Sequence, residues 1–178
     1  VLSDIDPKAR FRNYESAFFW LYDSRIVNIA YNTFAPTIGL VMNTERSTLR
    51  CYLADTGLLV SLAFGERGQM PVEVYERLLH DKLESNMGMV MENIVAQMLM
   101  AAGHKLFFYN HIDRKDASND MEIDFLITKS IITSRKNICP IEVKSSTSFK
   151  ITSLEKCMSK FNQSIGHAYV LHTGDVQL

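Results

Sequence analysis

Residues 121–128, MEIDFLIT, and residues 138–145, ICPIEVKS, decide how this chain is read. Their centres, IDFLI and PIEV, are nearly continuous apolar runs. Strands of that kind lie in a sheet covered on both faces. Yet each stretch carries charge at its heart. Side chains alternate between faces along a strand. Alternation predicts Glu122, Asp124 and Leu126 on one face, with Ile123, Phe125 and Ile127 on the other. On the second strand Glu142 and Lys144 share a face, opposite Ile141 and Val143. Two positions span about 6.6 Å, so both heads can reach one small site.

Outward from this pair, the pattern predicts a helix over about 87–102, stopped by Gly103, and a strand over 105–109. The polar run DRKDASND, 113–120, reads as a loop. After the second charged strand come a helix from Thr152 or Ser153 to near Gln163 and a last strand over 167–172. The order is αβββαβ. Glu92 falls at helical spacing from Met89, Val95, Ala96 and Leu99, on the stripe expected to pack against the sheet.

Residues 14–64 read as a helix running into a β-prone segment, broken at 33–36. Two strands follow, 37–42 and 49–53, joined by the turn NTERS. Asp55-Thr56-Gly57 reads as a turn or helix entry, with a buried run over 58–64. A helix followed by a hairpin resembles a small winged-helix or cap-like unit, with packing as its plainer role. The expected organisation is a helix and β-hairpin subdomain over 1–64 and a connecting segment over 65–85, with a helix at 71–83. An α/β domain follows over 86–178.

The chain has 178 residues, 47% hydrophobic and 22% charged, with net charge −1 and a sequence pI near 6.6. That length suits one domain, or one with a small appendage. The balance excludes a disordered chain and a bulk polycation. Cys51, Cys139 and Cys157 form no CxxC pair, which argues against a structural zinc and a disulfide framework and for a cytoplasmic setting. The five histidines show no ligand spacing. No apolar run reaches the length of a membrane span, and no signal core opens the chain. The absent initiator Met suggests a piece of a longer protein.

Burying an unpaired carboxylate costs several kcal/mol. Three of them, Asp124, Glu142 and Glu92, beside Lys144 call for a common cause. A hard cation, Mg²⁺ or Mn²⁺, bound by those carboxylates and the Val143 carbonyl supplies one. The alternative is a structural salt-bridge network, with Glu92 capping or pairing within its own helix. Residues 129–160 hold seven basic groups against two acidic ones, and 113–124 five acidic against two basic. The first is either a phosphate-facing surface or a solvated face.

A helix Glu, then Asp124, then Glu142-Val143-Lys144 on an αβββαβ core resembles the PD-(D/E)XK nuclease superfamily. The wording MVMENIVAQML, NDMEIDFLI, CPIEVKSS and CYLADTGLL is similar to the uncharacterised C-terminal domain of prokaryotic AAA-type ATPases. Ile123 stands where the superfamily's name has Pro, and no ligand is lost. The resemblance implies a restriction-endonuclease-like mixed sheet flanked by helices. It also implies a Mg²⁺-dependent module that hydrolyses or binds nucleic-acid phosphodiesters. Asp124, Glu142 and Glu92 would be its metal ligands and Lys144 the group assisting water, all four catalytic. The rival is a catalytically silent nuclease fold that serves partner or nucleic-acid binding. No phosphate-loop motif occurs, so ATP is expected only on an N-terminal ATPase module. That module, nucleic acid and further copies are the expected partners, with no membrane.

Overall fold

The computed structural model describes residues 7–8, 10–64, 72, 87–129 and 136–174. Helix α1 spans Phe11–Asp23, strand β1 Val27–Thr33, β2 Thr44–Leu53 and helix α2 Thr56–Phe64. The second half holds α3 (Met87–Ala101), β3 (Phe107–His111), a 3₁₀ turn (Ala117–Asn119), β4 (Met121–Thr128), β5 (Ile138–Val143), α4 (Thr152–Lys160) and β6 (Tyr169–Leu171). The described fold is α/β: a six-stranded mixed open sheet, ordered β2-β1-β3-β4-β5-β6, with four helices. The β3–β4 and β4–β5 pairs are antiparallel and the β5–β6 pair is parallel.

The sheet is covered on both faces, as its apolar central strands require. Leu154 and Cys157 of α4 pack on one face with Tyr109, Ile123, Leu126 and Ile138. Val95 and Ala96 of α3 pack on the other with Ala30, Tyr52, Phe108, Phe125 and Ile141. Every residue of β5 is buried.

Strict alternation fails in β4. Phe107 pairs with Leu126, but Tyr109 pairs with Ile123, so the register slips between them. Ile123 and Leu126 then share the α4 core while Phe125 joins the α3 core. An extra residue in one strand puts two successive side chains on one face. Leu126 is therefore not on the face of Asp124, as alternation predicts.

The order αβββαβ of the second half is present, with strand ends moved by one or two residues. The N-terminal half departs further from the expected pattern. Residues 37–42 form no strand; the partner of β2 is β1, paired antiparallel from Val27–Leu53 to Thr33–Thr44. Pro36 has no N–H to give a ladder, and turns close the segment instead. Met42 N donates to Gly39 O at 2.8 Å and Asn43 N to Leu40 O at 3.1 Å, with Gly39 at φ +82°. Thr33 Oγ1 ties the loop's ends by donating to Ala35 O and Asn43 O. Residues 58–64 are a helix rather than a uniformly buried run: Val60 is buried, but Leu58 and Leu62 are exposed. The helix read at 71–83 lies outside the described residues, Val72 excepted.

Strand β1 also pairs in parallel with β3, Tyr31 opposite Phe107 and Asn32 opposite Phe108. The hairpin therefore continues the sheet of the second half. Among the described residues no helix is long and apolar enough to cross a membrane.

Candidate functional site

The β4 irregularity turns Asp124 toward β5, where its Oδ2 accepts a hydrogen bond from Val143 N at 2.8 Å. Glu142, on β5, is 3% exposed. Lys144 Nζ lies 2.5 Å from Glu142 Oε2, while Oε1 is buried with no hydrogen-bond partner among the described residues. An unsatisfied buried carboxylate oxygen is expensive, so this atom calls for a ligand.

Strand β2 supplies the remainder. Arg50 lies over the Phe108 ring at 4.5 Å, a cation–π contact. Its Nη2 donates to Glu122 Oε1. Its Nη1 stands 3.7 Å from Asp124 Oδ1 and 4.0 Å from Glu92 Oε2. Two strand positions on, the Tyr52 hydroxyl donates to Glu92 Oε2 at 3.3 Å. Glu122 is well exposed and is paired to Arg50.

Burial sets the direction of the titrations. It raises the Asp124 carboxyl, against the Val143 amide and Arg50, which favour the anion. Burial also raises Glu142, with the charge of Asp124 adding to it and Lys144 opposing. Glu92 is raised by burial and by Asp124, with Arg50 and Tyr52 opposing. At Lys144 burial works against the charged amine, but Glu142 outweighs it and the pKa rises. At Arg50 burial is likewise outweighed, by Tyr52, Glu122 and Glu92.

The structure thus joins Glu142 to Lys144 directly and brings Asp124 to the backbone of the same strand. Glu92 lies against Arg50 and Tyr52, where the charge of Asp124 also reaches it. Among the described residues no three His, Cys, Asp or Glu groups stand together at metal-binding spacing. The carboxylates that the paired strands β4 and β5 offer a cation are Asp124 and Glu142. That set suits Mg²⁺, which takes one or two carboxylates and keeps several waters. The partnerless Oε1 of Glu142 is the atom such an ion would satisfy. Arg50 and Tyr52 escaped the sequence reading. Their signal was a lone arginine within LRCYL, sharing strand parity with a tyrosine.

Fold and site together define an α/β chain with a group of carboxylates gathered around an arginine and a lysine beside the sheet. Residues 87–178 match the family described as "Domain of unknown function (DUF4143)", and the chain belongs to it. No curated protein and no solved structure matches the chain. Arg50 and Tyr52 lie outside the matched segment.

Proposed function

We propose that the chain is a Mg²⁺-dependent, nuclease-like module of PD-(D/E)XK type that acts on nucleic-acid phosphodiesters. The observation that carries this reading is Glu142: a carboxylate 3% exposed, with one oxygen on Lys144 and the other without a partner among the described residues. Asp124 and Glu142 would hold the ion, and the Val143 carbonyl is a further oxygen on the same strand. Bound there, Mg²⁺ would polarise a phosphodiester and lower the pKa of a water. Lys144 keeps its proton at neutral pH and holds a positive charge where a phosphate would enter. Glu92, braced by Tyr52, is a reserve carboxylate at the rim. ATP hydrolysis would belong to an AAA-type module joined to this one.

The test uses the purified chain with Mg²⁺ or Mn²⁺ on single- and double-stranded DNA and RNA. Cleavage is expected, and it should vanish in Asp124→Ala and Lys144→Ala proteins of unchanged circular dichroism. Wild-type cleavage no greater than that of Asp124→Ala would sink the enzyme reading.

A catalytically silent module is the second reading, and Arg50 favours it. A guanidinium already compensates the carboxylates that a metal would otherwise neutralise. A Mn²⁺ titration separates the two readings. An isotherm that is lost in Glu142→Ala supports the metal site, and a flat wild-type titration supports the silent module.

A further inference from the structure

We propose that Arg50 is the internal counter-ion of this site: it neutralises the carboxylates in the metal-free protein, competes with a divalent cation, and moves off Asp124 when the cation binds. The proposal deepens the metal-site reading and rests on it.

The charges at the site do not balance. Four carboxylates, Glu92, Glu122, Asp124 and Glu142, face two cations, Arg50 and Lys144. Two formal negative charges remain, the deficit that one divalent ion fills. Lys144 is hydrogen-bonded to Glu142 and reaches Asp124 only through its charge, so Arg50 is the cation within 4.0 Å of the other three carboxylates among the described residues. A surface ion pair is the plain alternative, but Arg50 is only 22% exposed in its side chain and reaches three acids from two other elements.

The geometry allows displacement. Arg50 is held by its hydrogen bond to Glu122, its seat on Phe108 and the neighbouring Tyr52 hydroxyl. Its approaches to Asp124 and Glu92, at 3.7 and 4.0 Å, are too long for hydrogen bonds. The guanidinium can therefore leave Asp124 without breaking a hydrogen bond, and it stays tethered at the rim. Asp124 meanwhile keeps its own bond to Val143 N through Oδ2, leaving Oδ1 turned to Arg50. Oδ1 is thus the oxygen over which guanidinium and metal compete. A unit charge about 4 Å from a ligand atom is a strong competitor in a partly buried setting. Arg50 belongs to β2, outside the residues that match the family, so this control comes from the hairpin.

Mn²⁺ binding to the whole chain, followed by calorimetry and by the spin-resonance signal of free Mn²⁺, tests the competition without any activity assay. Arg50→Gln removes the charge and should bind Mn²⁺ on the order of tenfold more tightly. Arg50→Lys keeps the charge and should stay close to wild type, whereas a purely structural role would move both variants. Equal or weaker binding by Arg50→Gln, with wild type binding, overturns the counter-ion role and leaves the metal site standing. No binding by either protein overturns both. A second measurement does not depend on an Arg50 variant folding. The side-chain Nε resonance of Arg50 should shift when Mg²⁺ is added to wild type and stay fixed in Glu142→Ala. A resonance that stays fixed while wild type binds the ion overturns the displacement.

Discussion

Glu142, Asp124 and Glu92 all have carboxyl groups raised above their ordinary values of 4.5, 3.8 and 4.5, with burial as the first cause. A raised carboxyl binds its proton more tightly in the folded chain than in the unfolded one. The stability it contributes is complete below the ordinary value and is lost as pH rises through the folded one. Asp113 and Asp116 act in the opposite sense. Hydrogen bonds from Lys115 N and Ser118 lower them, so their contribution is lost only as pH falls through their depressed values. The melting temperature of the metal-free protein should therefore rise as pH is lowered from neutrality toward the ordinary carboxyl values, and fall again under stronger acid. Glu142→Gln should flatten the upper part of that profile, and thermal melts across the range check it. An unchanged slope in Glu142→Gln would remove Glu142 from the account. At this scale the sequence was legible where a charge interrupts an apolar run, as at Asp124, Glu142 and Lys144. Arg50 was opaque because its partners come from β4 and α3, and an arginine on a hairpin strand reads locally as a solvated residue.

Between elements, the decisive features are a slipped register and an amide clamp. The slip in β4 places Leu126, fully buried, in the α4 core with Ile123 instead of beside Asp124. Leu126→Ala should then cost about 2–5 kcal/mol in urea unfolding, the range for a leucine truncated in a packed core. A cost below about 1 kcal/mol would contradict the burial of Leu126 in the α4 core. The clamp is Asn93. Its Oδ1 accepts from Leu53 N at 2.8 Å, and its Nδ2 donates to Leu53 O and to Thr56 Oγ1, both at 2.9 Å. One turn along, Gln97 Oε1 accepts from Thr56 N and Oγ1. The side chain of Asn93 thus does for the end of β2 what a neighbouring strand would do. Asn93→Ala leaves the Leu53 amide and carbonyl unpaired, about 1–3 kcal/mol for each group that stays buried. The urea midpoint should fall with little change in slope. In the sequence, Asn93 and Gln97 look like polar interruptions of an apolar helix. Helical spacing shows that they are off-pattern but cannot show the backbone they serve, which lies forty residues upstream. The αβββαβ order was legible because each element carries its own period and stop. The β1–β2 hairpin was not, since residues 37–42 are apolar enough for a strand and only Pro36 and Gly39 argue for turns.

For the whole molecule, the question is whether residues 27–53 unfold with the second half or apart from it. Composition favoured a separate small unit, because a helix and two short strands make a familiar local pattern. The pairings of β1 argue otherwise. This strand is bonded to β2 on one side and to β3 on the other, and Ala30, fully buried, packs in one core with Phe108, Phe125 and Ala96. Removing the hairpin would expose that core and one edge of β3, so its opening should cost nearly as much as global unfolding. Helix α1 is different: none of its thirteen residues is buried, Trp20 is 66% exposed, and its own Phe11–Phe18 stack is an internal contact. Native-state hydrogen exchange should accordingly place the amides of Ile29–Tyr31 in the same slow class as Ile123–Leu126. The α1 amides should exchange through a much smaller opening. If β1 instead exchanged together with α1, at a free energy well below that of β4, the hairpin would be a unit of its own. Arg50 would then reach the acidic site from a separately folding piece. If β1 and β4 share one opening, the strands that carry the arginine and the carboxylates belong to a single cooperative sheet, and only a side-chain movement separates the charges short of unfolding the protein.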